Sequence, residues 1–216
     1  RQLLAFSRRT VLEPKVLDLN DLVRENERML QRLNGEDVDL CTVLDPAVKP
    51  VKVDPGQLSQ VIMNLALNAR DAMPQGGRMM IETKDVVLTA DECREHPECT
   101  PGHYALLVIR DTGTGMTPHV KTHLFEPFFT TKGAGRGTGL GLATVYGIVQ
   151  QTGGFITVTS ELDVGTTFNV FLPAIESHET TPVPPATTDG RLRGTETGLL
   201  VEGDDSVRHL VKAILE

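Results

Sequence analysis

The sequence predicts an α+β two-layer sandwich. Several stretches carry the 3.6-residue apolar spacing of amphipathic helices. Others alternate or run apolar over strand lengths, and the two kinds mix without the regular βαβ rhythm that a parallel sheet requires. Residues 1–9, RQLLAFSRR, read as the tail of a helix with Leu3, Leu4 and Phe6 on it. From Asn20, the positions Leu22, Val23, Met29, Leu30 and Leu33 share one helical face, and Asn34-Gly35 ends it. Alternation at Val38, Leu40, Thr42 and Leu44 predicts a strand. In DPGQLSQVIMNLALNARDAMPQGG, Asp54 is placed to cap a helix, Pro55 suits its first turn and Gln57 stands at the capping-box position. Pro74 and Gly76-Gly77 predict its end near Met73.

Strands are predicted over residues 78–88 and 104–110, joined by the polar excursion DECREHPECTPG. A short helix follows Thr117, then a glycine-rich segment, a helix over about 138–151, and a last strand pair at 154–160 and 166–172. Residues beyond Pro173 are rich in Pro, Thr and Glu and read as a linker, after which GLLVEGDDSVRHLVKAILE has the pattern of one strand and one helix.

Composition narrows the function. With 216 residues, 39% of them hydrophobic, the chain can bury a core without staples. Three cysteines, Cys41, Cys93 and Cys99, form no disulfide framework and point to a reducing compartment, with the cytoplasm as the default. No stretch approaches the roughly 20 apolar residues of a membrane span, so a soluble segment is expected, although a longer parent could be anchored elsewhere. A formal charge of -8 repels polyanions, which argues against nucleic acid or anionic membrane as a partner. Any phosphate ligand must therefore be held by local groups.

Three stretches offer such groups. FFTTKGAGRGTGLGLATVYGIVQQTGG has glycine at every second position from Gly133 to Gly141 and then enters a helix. Neither the dinucleotide fingerprint nor the Walker loop fits, since no G-x-G-x-x-G register closes and no Gly-Lys pair exists in the chain. A flexible segment ending at a helix N-terminus, with Lys132 and Arg136 nearby, suits phosphate oxygens; a plain mobile loop is the alternative. On the helix from Pro55, Gln60, Asn64, Asn68 and Asp71 form one polar stripe beside an apolar one. An Asn amide oxygen there is a suitable hard ligand for Mg²⁺, or the stripe is simply solvated. In DTGTGM, residues 111–116, Asp111 at a strand end is placed to accept from an exocyclic amine while the glycines admit a flat ring; a tight turn is the alternative.

Taken in order, NLALNARDA, DTGTGM, FEPFFTTK and GRGTGLGLA resemble the N, G1, F and G2 boxes of sensor histidine kinases, whose catalytic domain belongs to the Bergerat-fold superfamily. The resemblance covers about residues 17–173. It implies a mixed or antiparallel sheet with helices on one face, ATP and Mg²⁺ as ligands, Asn68 as the metal ligand and Asp111 as the reader of the adenine amine. It also implies a lid over about 116–138, with Gly113, Gly115, Met116, Phe125, Thr130, Lys132, Arg136, Gly137, Thr138, Gly139, Leu140 and Gly141 around the nucleotide, and Asp71 and Thr166 in support. Water-splitting members of the superfamily carry a glutamate one turn before the metal-binding asparagine. Here that position is Asn64, whose amide is a poor base for water, which favours phosphoryl transfer.

The resemblance divides the chain into the end of a dimerisation and phosphoacceptor hairpin (1–17), the catalytic domain (18–173), a linker (174–195) and the start of a receiver domain (196–216). It implies a homodimeric parent that works with its own hairpin and with a receiver in cis or a response regulator. No acceptor histidine is expected among the six present; His178 precedes Glu179 but lies in the linker. In the receiver-like piece, Glu202 is followed by Gly203 where a second acid is expected, with Asp204 and Asp205 displaced beyond it. The spacing Cys93, His96, Cys99 invites a zinc reading but lacks a fourth ligand and reads as coincidence. Phe125, Phe128 and Phe129 either anchor the lid or stack on the base.

Overall fold

The computed structural model describes residues 13–35, 37–132 and 137–175, all within one compact unit. Five strands form the main sheet: β2 (Val38–Leu44), β4 (Gly77–Leu88), β5 (Gly102–Asp111), β6 (Phe155–Glu161) and β7 (Gly165–Pro173), in the order β2-β4-β5-β7-β6. The β2–β4 pair is parallel and the other three pairs are antiparallel. The α+β two-layer expectation therefore holds.

Three helices, α1 (Leu19–Asn34), α2 (Pro55–Ala72) and α4 (Gly141–Gln151), pack on the sheet. The inward positions of β4, β5 and β7, among them Ile81, Leu107, Ile109, Val170 and Leu172, meet Leu58, Ile62 and Leu65 of α2 and Val145 and Val149 of α4 in one core. Period two on the strands and period 3.6 on the helices put these residues on facing surfaces. A short helix, α3 (Pro118–His123), is capped by the Thr117 hydroxyl, which accepts from the Val120 N–H.

The start of α2 is built as its letters require, with an addition. The Asp54 carboxylate accepts from the Gln57 N–H at 3.0 Å and also from the Glu13 N–H at 3.0 Å. One side chain thus caps the helix and ties down the incoming chain. The Glu13 N–H, and after it the Gln57 N–H, hold the Asp54 carboxyl below its ordinary value. Replacing Asp54 with alanine is expected to lower stability by about 1–2 kcal/mol in thermal melts near neutral pH. Since the folded value is depressed, the contribution is present above the ordinary value of 3.8 and is lost as pH falls through the folded one. Wild type and variant should therefore converge in acid.

Three expectations need correction. Residues 15–17, assigned from sequence to the hairpin tail, form β1 (Lys15–Leu17), which pairs antiparallel with β3 (Val51–Val53). Strands of three residues carry too little pattern to be read. The last helix begins at Gly141 rather than near Thr138, because Gly139 takes a positive φ of 65° that no helix accommodates. The polar excursion contains a 3-10 turn at Glu92–Glu95. Within it Cys93 and Cys99 are joined by a disulfide, against the expectation of free thiols, while Cys41 remains free. Residues 1–12, the linker from residue 176 on with His178, and the receiver-like piece from 196 lie outside the described residues.

Candidate functional site

A cavity of about 410 Å³ opens between the C-terminal half of α2, the ends of β5 and β7, the segment after β5 and the start of α4. Each wall has a local reason. On α2, the apolar stripe commits one face to the core, so the adjacent stripe presents Asn64, Asn68 and Asp71 to the cavity at three- and four-residue spacing. The last residue of β5 is Asp111, which lines the cavity at 5% exposure. Its Oδ1 accepts the Gly113 N–H at 2.8 Å. Burial pushes the Asp111 carboxyl up from its ordinary value, while the N–H groups of Gly113 and Thr166 pull it back in part. Beside it on β7, Thr166 is buried, its hydroxyl 2.9 Å from that of Ser160. Phe168, two residues further along β7, lies at this end, and Met116, Leu124 and Phe129 add apolar surface to the lining.

At the other end, Thr130, Lys132, Gly137, Thr138, Gly139 and Gly141 face the amide stripe. The Lys132 Nζ reaches across to Asp71 Oδ2 at 2.5 Å, and Arg70 holds the other oxygen at 2.7 Å. Burial opposes ionisation of Asp71, but the hydrogen bonds from Lys132 and Arg70 outweigh it and hold the carboxyl below its ordinary value. The Asn64 Nδ2 donates to the Gly141 carbonyl at 3.2 Å, tying α2 to the first residue of α4.

Two glycines have no substitute here. At Gly139, φ is 65° and an added Cβ would lie 2.4 Å from the Phe128 carbonyl carbon. The Phe128 N–H in turn donates to the Gly139 carbonyl at 2.9 Å, which joins these two residues across the backbone. Phe128 itself takes a φ of 68°, unusual for a non-glycine residue. At Gly115, φ is 65° and a Cβ would lie 1.9 Å from the Glu161 carbonyl oxygen. A Gly139→Ala variant is expected to melt earlier, by at least the roughly 1–2 kcal/mol that a left-handed conformation costs a residue with a Cβ.

Of the residues singled out from sequence, Asn64, Asn68, Asp71, Asp111, Gly115, Met116, Thr130, Lys132, Gly137, Thr138, Gly139, Gly141 and Thr166 line the one cavity. Gly113, Phe125 and Leu140 do not. Gly113 is pressed against the end of α2, where a Cβ would meet the Ala72 carbonyl oxygen at 2.6 Å. Phe125 turns to the core and packs on the Tyr146 ring, centroids 5.1 Å apart. Leu140 precedes α4 and its carbonyl accepts from Thr144. Arg136 lies outside the described residues. The wall residues that sequence reading missed, such as Leu67, Val120 and Leu124, are apolar positions with no signal beyond core periodicity.

Residues 53–176 match the family described as histidine kinase-, DNA gyrase B-, and HSP90-like ATPase, and the chain belongs to it. Among relatives, it is 47% identical over 216 residues to sensor kinase CckA of Brucella abortus, covering 96% of this chain and 23% of that protein. It is 34% identical over 173 residues to sensor histidine kinase ZraS of Escherichia coli, covering 80% of this chain and 34% of that protein. The chain thus spans about a quarter to a third of the length of these two curated relatives. Among solved structures, the mycobacterial sensor histidine kinase MprB superposes with a TM-score of 0.58 at 26% identity, covering 76% of this chain and 98% of that one. No helix among the described residues is long and apolar enough to cross a membrane.

Proposed function

We propose that the chain is the ATP-binding catalytic domain of a sensor histidine kinase, holding Mg·ATP in this cavity and passing the γ-phosphoryl group to a histidine carried outside it. The observation that carries the reading is that a single cavity joins a buried carboxylate at an apolar end to an amide stripe and a glycine-lined helix start. Its volume falls within the range of roughly 300–1,000 Å³ usual for ligand sites.

Adenine fits the apolar end, where Asp111 accepts from the exocyclic amine and the hydroxyl of Thr166 stands alongside. The triphosphate runs toward Gly137–Gly141, where free N–H groups at the start of α4 meet phosphate oxygens. Lys132 sits at that end as a local cation in a chain of net charge -8. Its bond to Asp71 is exposed enough to exchange for phosphate. The donor set suits Mg²⁺: Asn68 offers a hard amide oxygen beside Asp71, and such an ion keeps waters and shares phosphate oxygens rather than taking a full protein cage. When bound, the ion supplies charge neutralisation at the β- and γ-phosphates.

Asn64 separates transfer from hydrolysis. Its amide is engaged with the Gly141 carbonyl, so it positions α4 against α2, and it cannot take a proton from water at neutral pH. That supports transfer to a protein acceptor over a gyrase-like cycle. The partners that follow are a dimerisation and phosphoacceptor hairpin, a homodimeric parent, and a receiver in cis or a response regulator, in a cytoplasmic setting.

The test supplies radiolabelled ATP to this chain together with a separately prepared phosphoacceptor hairpin. Label on the hairpin is expected. Free phosphate alone supports the gyrase-like reading instead, and tight binding with neither product supports a regulatory nucleotide-binding module.

A further inference from the structure

The excursion between β4 and β5, residues 89–101, takes no part in the site just described, yet it reaches the helix that forms one wall of it. Each end carries its own hydrogen bonds. At one, Glu92 Oε2 accepts from the Thr89 N–H and hydroxyl at 2.7 and 2.8 Å. At the other, the Tyr104 hydroxyl donates to the Thr100 carbonyl at 2.8 Å. Between them the Cys93–Cys99 disulfide closes a seven-residue ring, and two of its members make contacts beyond the excursion: the His96 ring stacks on Phe155 of the edge strand β6 at 5.6 Å, and Glu98 Oε1 accepts from the Tyr146 hydroxyl at 2.6 Å. Tyr146 lies on α4, five residues after Gly141. Its ring packs on Phe125, the neighbour of Leu124 in the cavity wall and the start of the turn leading to Phe129.

We propose that this disulfide-closed strap is a redox-operated clamp on the nucleotide site, acting through Glu98, Tyr146 and Phe125. The proposal rests on the nucleotide reading above. With the bridge formed, Glu98 is held on Tyr146, α4 and the turn that carries Phe125 are fixed together, and less ordering is left for the ligand to impose. With it broken, residues 94–99 regain conformational freedom that the anchors at Thr89 and Thr100 do not restrict. Cys93 is buried and Cys99 is partly exposed, so a reductant reaches the bridge at Cys99. A dithiol reductant attacks there; the S–S bond breaks, Cys93 and Cys99 leave as two thiols having gained two electrons and two protons, and the reductant ends as its own disulfide. A low-molecular-weight disulfide reverses the step. A single bridge in a chain without a disulfide framework fits a sensing role better than a structural one.

The test compares Mg·ATP affinity of the chain in oxidised and dithiothreitol-reduced form. The oxidised form should bind about fivefold tighter, the lower part of the usual range for coupled sites. The Cys93→Ser/Cys99→Ser double variant should bind as the reduced form does and ignore reductant. Tyr146→Phe, which keeps the ring on Phe125 but loses the hydroxyl, should abolish the redox difference. An independent readout uses the chain's two tyrosines and absence of tryptophan. The wild-type minus Tyr146→Phe absorbance titration isolates Tyr146, whose hydrogen bond to Glu98 holds its pKa above the ordinary value, and reduction should bring that pKa down. Equal affinities in both forms, or a redox difference that survives Tyr146→Phe, overturn the clamp. Absence of binding in both forms overturns the nucleotide reading and the clamp's effect on it, while the tyrosine titration still decides whether the strap grips α4.

Discussion

Replacing Asp111 with asparagine is expected to weaken ATP binding roughly ten- to hundredfold, the loss that follows when a hydrogen bond to a charged group of about 1.5–3 kcal/mol is removed. The carboxylate faces two ways. It accepts from the Gly113 N–H, at 2.8 Å, and from the Thr166 N–H within the fold, and it offers an acceptor to the cavity. An amide has only one oxygen, so an N–H of asparagine must oppose either the backbone donors or the adenine amine. The fold itself should tolerate the change. Burial raises the Asp111 carboxyl above its ordinary value of 3.8, so the native state holds its proton more tightly than the unfolded chain. The contribution of Asp111 to stability is present below 3.8 and lost as pH rises through the folded value. Asp111→Asn should remove that slope from a stability-versus-pH curve. In the wild type, ATP affinity should begin to fall, as pH is lowered, at a higher pH than an ordinary aspartate would give. Calorimetric titration across pH, alongside thermal melts, measures both effects.

Asn68→Ala is expected to abolish most phosphoryl transfer, lowering the rate roughly 10²–10³-fold, as removal of one group that meets transition-state charge does. The amide is presented to the cavity one turn beyond Asn64 and beside Asp71, on a helix whose adjacent apolar stripe is buried. The backbone there cannot shift to bring another oxygen forward. Binding of ATP in the absence of Mg²⁺ should change little, because Asp111 and the start of α4 are untouched. Hairpin phosphorylation measured with and without a chelator separates the two: the variant should resemble chelated wild type.

The helices and the site were legible for a common reason. Asp54, Pro55 and Met73 mark α2 through capping and chain-stopping chemistry that acts locally, and a local cause leaves a local signal. Once α2 is placed, its polar stripe follows from geometry. Asp111 could be found because a carboxylate at the end of an apolar strand, followed by two glycines, is an uncommon combination. What escaped depends on partners distant in sequence. β1 and β3 are three residues each and exist through mutual pairing and the bond from Glu13 to Asp54. Phe125 and Gly113 sit inside matching motifs but serve packing, against Tyr146 and Ala72, contacts that no spacing within the motif encodes. α4 starts three residues later than the apolar pattern predicts, because the positive φ at Gly139, beside the closely approaching Phe128 backbone, keeps Thr138 out of the helix. The Cys93–Cys99 bridge was invisible to composition, since three cysteines give no arithmetic that selects a pair.

The central claim is that the cavity between α2, Asp111 and the start of α4 is a site for Mg·ATP that reads adenine through Asp111. Parallel calorimetric titrations with ATP and GTP in the presence of Mg²⁺ test it most directly. Guanine presents a carbonyl oxygen where adenine presents its amine, so it would set acceptor against acceptor at Asp111. Saturable one-to-one binding of ATP with no measurable heat from GTP is the result expected; equal binding of both nucleotides, or of neither, would contradict it.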